Sequence, residues 1–296
     1  MKSFEDLYED CQTQSSDTDA TTLTFFKSKL NEAIKKAYAV LNAEWFYDSA
    51  TDLTVDGDES YPLPFNCERV HSIKVTISSR DYVVTEFPRG ENEWLALTGG
   101  ATSATESNYP TYYFVKRDTY EFYPASSTSG YTITMRYKID PKDLTATDST
   151  TSTIKTLTNS DTTVTSNAAA FTAAMVGRFL KIDDDGDWYR IASFTSTTVI
   201  ELAREFGGTS IAAGTSAYTI GEMSLLPNSF QEMSIDYALY RYYLQKENSA
   251  KAGEYKAIWE ENLKKLKEYG SNLTTSGVLV EDVYIRNYND YPLGLS

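Results

Sequence analysis

The sequence predicts an α+β fold: a helical bundle from the N- and C-terminal segments, an antiparallel β-sheet or sandwich in the middle, and a small inserted β-barrel-like module. Three observations predict it. Residues 23–45 keep apolar side chains at helical spacing. The run Leu225 to Tyr269 opens on Leu226-Pro227-Asn228-Ser229-Phe230 and continues in strong helix formers. Nearly everything between them alternates and turns as strands do. A chain that begins helical, makes a long β excursion and returns to helix packs its two ends together. The expected layout is residues 1–48 as N-terminal helices packing with 222–270, 49–144 as an antiparallel β domain, and 145–221 as an inserted small β domain. Residues 222–270 are the C-terminal helices and 271–296 an extended C-terminal arm.

Each element has a local cause. Phe4, Leu7 and Tyr8 stand at i, i+3 and i+4 in a short amphipathic helix. The polar segment 12–22 follows, ending in Thr and Asp residues suited to capping. Phe26, Leu30, Ala33, Ile34, Ala37 and Leu41 form one face of the next helix, with Lys27, Lys29, Glu32, Lys35 and Lys36 largely opposite. Trp45-Phe46-Tyr47 reads as an aromatic anchor to the β region. Asp56-Gly57-Asp58 is a turn, and Tyr61-Pro62-Leu63-Pro64 leads into the alternating strand Val70 to Ile77. Further strands are expected at 82–87, 111–116, 119–123 and 131–137. In the insert, strands are expected at 154–158, 179–182, 188–192, 197–202 and 217–220, with Asp183-Asp184-Asp185-Gly186-Asp187 as a hairpin turn. In the last helical region Gly253 marks a break or kink, and Gly270 ends the helix.

Composition excludes several functions. Lys and Arg number 27 against 42 Asp and Glu, a formal charge of −15 without a basic block, which argues against specific nucleic-acid binding. Lys264-Lys265-Leu266-Lys267 is short and lies on a Glu-rich helix, so it reads as a solvated face. No apolar run is long enough to span a bilayer. The acidic N-terminus lacks the apolar core of a signal peptide, which points to intracellular synthesis. Cys11 and Cys67 are far apart and read as reduced, and His71 is the single histidine, which excludes zinc sites of the usual spacing. The 23 tyrosines suit either surfaces buried on assembly or half-exposed strand faces.

Candidate chemistry reduces to structure. A calcium loop wants an acidic ligand five residues before its glycine, and that position before Gly186 is Lys181. His71 lies in a strand without a nucleophile beside it. Gly99-Gly100 and Gly207-Gly208 lack the downstream Lys-Ser/Thr of a phosphate loop. No residue is assigned as catalytic or metal-binding, and no cofactor is implied.

The short phrases are more specific. Tyr61-Pro62-Leu63-Pro64 before a strand holding Ile73-Lys74-Val75, then Asn108-Tyr109-Pro110-Thr111-Tyr112-Tyr113-Phe114, then the Leu226 to Phe230 return to helix, resemble neck proteins of tailed bacteriophages. The insert phrases Val176 to Ile182, Trp188 to Ile191 and Tyr218 to Ile220 are similar to β modules spliced into such proteins. The chain resembles a head-to-tail connector (adaptor) protein. That resemblance implies a non-enzymatic virion protein of the neck, made in the bacterial cytoplasm. It implies a ring, dodecameric, joining the capsid portal to downstream tail or neck proteins. Double-stranded DNA would pass through its channel without specific binding, and no membrane is involved. The terminal helices would form the wall, with Phe26, Leu30, Ile34, Tyr240 and Trp259 at the helix interface. The C-terminal arm would reach the portal or a neighbouring subunit through Tyr284, Ile285, Tyr288, Tyr291 and Leu293. Two rivals stand beside it: a tail component binding or cleaving host surface glycans, with exposed aromatic rings beside a carboxylate pair, and a surface adhesin, which the missing signal disfavours.

Overall fold

Ser3 opens the structure with a reciprocal cap. Its hydroxyl accepts from the Asp6 amide (3.1 Å) while the Asp6 carboxylate accepts from the Ser3 amide (2.9 Å), so helix α1 (Phe4–Ser15) starts with its first donors satisfied. Asp19 caps helix α2 (Ala20–Val40) through the Thr21 amide. The computed structural model describes residues 1–41, 47–99, 106–107, 109–183, 185–212, 214 and 216–288, with side chains described at all of these except 106–107 and 271–288. The expected Trp45-Phe46 anchor lies outside the described residues. Two compact units result: Met1–Leu41 with Asp143–Asn272, and Asn42–Lys142 with Leu273–Ser296.

The second unit is a seven-stranded sheet. Its elements are β1 (Tyr47–Leu53), β2 (Ser60–Pro62), β3 (Cys67–Ile77), β4 (Arg80–Glu86), helix α3 (Glu91–Thr98), the short β5 (Glu106–Ser107), β6 (Tyr112–Val115), β7 (Thr119–Tyr123), β8 (Ala125–Ser126) and β9 (Thr132–Ile139). The strand order is β1-β9-β3-β4-β6-β7-β2, with β5 and β8 as a separate parallel pair. The antiparallel expectation needs correction at two pairings, because β4 pairs with β6 and β5 with β8 in parallel. A parallel return requires a long crossover, and between β4 and β6 the connection through α3, a helix that no sequence periodicity announces, supplies it. Alternation fills one face with Ile73 and Val75, Tyr120 and Phe122, and Ile133, Met135 and Tyr137. A register shift between Val70 and Ser72 puts Val70 on that buried face as well and leaves His71 exposed.

In the first unit, six strands close an antiparallel barrel. They are β10 (Thr153–Thr156), β11 (Thr163–Ser166), β12 (Phe179–Ile182), β13 (Trp188–Ser196), β14 (Val199–Leu202) and β15 (Ser216–Gly221), in the order β10-β11-β14-β13-β12-β15 with β15 returning to β10. Leu180, Ile182, Ile200, Leu202, Tyr218 and Ile220 fill its interior. Closure leaves no open sheet edge.

The chain then returns to helix α4 (Met233–Gln245) and helix α5 (Ser249–Tyr288). Phe4, Leu7, Phe26, Leu30, Ile235, Leu239 and Tyr242 form one core, so N- and C-terminal helices pack together. The break expected at Gly253 lies instead at residues 246–248. Glu247 adopts a left-handed conformation (φ 56°), and the Asn248 side chain accepts from the Lys251 amide to begin the next helix. The helix does not end at Gly270 either: residues 271–288, expected as an extended arm, continue α5.

Two of the glycines of α5 serve differently. A Cβ at Gly253 would meet open space, whereas one at Gly270 would lie 2.7 Å from Leu41 Cδ2, and Leu41 is itself buried. Gly253→Ala is expected to stabilise by about 0.5–1 kcal/mol. Gly270→Ala is expected to destabilise by about 1–3 kcal/mol through overpacking. Thermal unfolding of the two variants should move in opposite directions.

Candidate assembly surfaces

The barrel is tied to the helices at both of its chain crossings. On entry, Asn31 Nδ2 donates to the Leu144 carbonyl and Asn31 Oδ1 accepts from the Leu144 amide, both at 2.9 Å. Glu222, directly after the exit strand β15, accepts from the Thr145 and Ala146 amides at 2.6 and 2.8 Å, and its own carbonyl accepts from the Phe4 amide at 2.7 Å. The Leu225 amide donates to Tyr38 Oη at 2.8 Å. These links span residues far apart in sequence, and no local pattern announces them.

Acidic side chains crowd this junction. The Glu5 carboxylate accepts from the Asp148 amide, and Asp148 Oδ1 is buried without a hydrogen-bond partner among the described residues. Burial, relieved in part by Ser3 and reinforced by the negative charges of Glu5, Asp6 and Glu9, pushes the Asp148 carboxyl up to about 6. Burial does the same to Asp236, also to about 6, against partial relief from Asn262. Between pH 3.8 and about 6 the folded chain therefore binds more protons at these groups than the unfolded chain does. Their contribution to stability falls as pH rises through that window. Asp148→Asn should accordingly raise the melting temperature at neutral pH, and the gain should vanish by about pH 4. Glu32 behaves oppositely. Burial would raise it, but Lys29, Tyr237 and Lys36 donate to it and hold it down at about 2, so its contribution is lost as pH falls below 4.5.

Several tyrosines are used in a third way, as packed residues whose hydroxyl tips are hydrogen-bonded. Tyr242 Oη donates to Asp17 (2.8 Å), Tyr137 Oη to Asn66 (3.1 Å) and Tyr189 Oη to Asp185 (2.7 Å). Tyr237 donates to Glu32 and accepts from Lys36, fastening α4 to α2. The residues expected at the helix interface lie in this layer. Phe26 and Leu30 are fully buried and Phe26 meets Tyr242 at 5.2 Å; Ile34 is buried on the same helix. Tyr240 and Trp259 flank Tyr237 at 6.0 and 5.1 Å. Tyr284, Ile285 and Tyr288 fall on the distal part of α5, and Tyr291 and Leu293 lie outside the described residues.

Sites set aside as chemistry have structural surroundings. His71 packs against the Tyr47 ring at 4.8 Å. Burial pushes both thiols up, Cys11 in the helical core most strongly. The turn at Asp183 to Asp187 places Gly186 at φ 76°, and Asp184 lies outside the described residues. Beside that turn, a cleft of about 740 Å³ is lined by Asn159, Asp185, Phe206, Gly208 and Ser210 among others. Its aromatic ring, Phe206, is buried, which is not the exposed stacking platform that a glycan site needs. Among the described residues no group of three or more His, Cys, Asp or Glu is placed to hold a metal ion, and no helix is long and apolar enough to cross a membrane.

Exposed apolar side chains mark the remaining surfaces. In the sheet unit Phe65 is fully exposed on a loop that is itself pinned. The Leu63 amide donates to the Asp118 carbonyl (3.0 Å), Cys67 to Pro64 (3.0 Å) and Asp140 to Asn66 (2.7 Å). Nothing in the local pattern marks Phe65 as exposed; Pro62 and Pro64 before it signal only a rigid turn. In the helical unit, Leu244 and Ile258 are exposed on α4 and α5.

Residues 2–192 match the family model described as SU10 adaptor protein. The chain belongs to that family. This adaptor is thus a phage virion component and a structural protein rather than an enzyme. The match covers α1, α2, the sheet elements up to β9, and the barrel as far as β13; β14, β15, α4 and α5 lie beyond it. No curated protein matches the adaptor.

Proposed function

We propose that the adaptor is a ring-forming neck protein that joins the capsid portal to the tail and lines the DNA channel, in twelve copies. The observation that carries this reading is the adaptor-family match over residues 2–192. A ring needs two different adhesive patches on each copy, and rigid exposed apolar groups are the physical form such patches take. Phe65 and the exposed residues of α4 and α5 have that form. A net charge of −15 suits a wall past which DNA slides without sticking.

The distal part of α5 and the residues after it are the proposed tether to the portal or to a neighbouring copy. Deleting residues 271–296 should remove the helical circular dichroism of 271–288 alone and leave the melting temperature of the remainder nearly unchanged while reducing the fraction bound to portal. Unfolding on truncation would mean that this segment is structural. Negative-stain microscopy with and without portal tests the whole reading. Glycan-cleaving activity in the purified adaptor would contradict it.

A further inference from the structure

Two surfaces of the helical unit complement each other without meeting inside one chain. The first is a groove of about 330 Å³ between α2 and α4, lined by Phe25, Lys29, Arg241, Leu244 and Gln245. Leu244 is 50% exposed. Lys29 is already paired with Glu32 at 2.7 Å, whereas Arg241 makes no ion pair among the described residues. The groove therefore offers an apolar floor beside one free guanidinium.

The second surface is a ridge on α5. Ile258 is 40% exposed, away from the stripe Ala252, Trp259 and Leu266 that α5 buries. Glu254 stands one turn before it on the same face. Glu261, on the next turn, is neutralised by Lys265 at 2.7 Å, while Glu254 has no ion-pair partner among the described residues. The ridge is thus an apolar knob beside one free carboxylate.

We infer that the Ile258 ridge of one copy seats in the α2–α4 groove of the next, with Ile258 against Phe25 and Leu244 and Glu254 against Arg241. Because groove and ridge are different surfaces, the contact is heterologous and repeats head to tail. Burying both exposed aliphatic side chains drives it, and the Glu254–Arg241 pair sets register and excludes wrong pairings. This inference rests on the ring reading above, and names the contact that would propagate the ring.

The test uses the full chain carrying Cys67→Ser with cysteines flanking the contact, Gln245→Cys at the groove and Ala257→Cys beside the ridge, so that Leu244 and Ile258 stay in place, as purified and co-expressed with the portal protein of its own phage. A short bis-maleimide is added and products are resolved on a denaturing gel. The expected result is a ladder of multimers that needs both new cysteines in the same chain, since an isologous contact would stop at dimers. Arg241→Glu or Glu254→Arg alone should reduce the assembled fraction roughly tenfold or more, and the two together should restore it. Rings visible by microscopy without a ladder would overturn this contact while leaving the ring reading intact. A monomer in the presence of portal would overturn both.

Discussion

Trp94→Ala is expected to lower the stability of the sheet unit by about 3–5 kcal/mol, the range for deleting a large buried aromatic side chain. Trp94 is fully buried, and α3 has no other buried residue. Its ring stacks on Phe114 at 5.4 Å and meets Phe87 edge-on at 5.2 Å. The indole Nε1 donates to Glu121 Oε2 at 2.8 Å, while Lys116 Nζ donates to the other carboxylate oxygen at 2.6 Å. Removing the indole opens a cavity and takes away a donor that Glu121 uses, and it releases the crossover that lets β4 and β6 pair in parallel. In scanning calorimetry the transition of this unit should fall by roughly 15–30 °C. The transition of the helical and barrel unit, which has its own cores, should move far less. Trp94→Phe keeps most of the packing and loses the donor, so it should cost only about 1–3 kcal/mol.

Phe65→Ala is expected to do the reverse: leave stability within about 0.5 kcal/mol of the parent and impair assembly. The ring touches little in the folded chain, so its removal costs little packing. The loop that carries it is already ordered by backbone hydrogen bonds and by Asn66, which accepts from Tyr137 Oη, so docking loses little additional entropy. An aromatic anchor of this kind contributes about 2 kcal/mol or more at an interface centre, equivalent to a roughly 30-fold weaker association. Phe65→Glu should be worse, because it would place a charge in an apolar pocket. The readout is the fraction of adaptor that co-sediments with portal, alongside an unchanged melting temperature.

What was legible in the sequence follows the physics of each element. Helix α2 shows because its apolar positions repeat over five turns against a charged face. Helix α3 does not, because eight residues with one buried side chain carry no period. The β3–β4 hairpin turns on Ser78 and Ser79, both at positive φ (48° and 64°), where glycine or asparagine would have signalled the turn. Glu247 hides the α4–α5 break for the same reason, while Gly253 suggests one that does not exist. Barrel strand β11 contributes one buried aliphatic side chain, Val164, too little to stand out in a Thr-rich run. The links from Asn31 and Glu222 depend on partners more than seventy residues away, and the exposure of Phe65 is a tertiary property. Resemblance reached the family where local chemistry was silent.

Co-expression of the full chain with its portal, followed by negative-stain microscopy and mass measurement, tests the central claim most directly. The account predicts a monomeric or weakly associated adaptor alone and closed rings of adaptor seated on portal when both are present. An adaptor that stays monomeric and unbound beside assembled portal would contradict it.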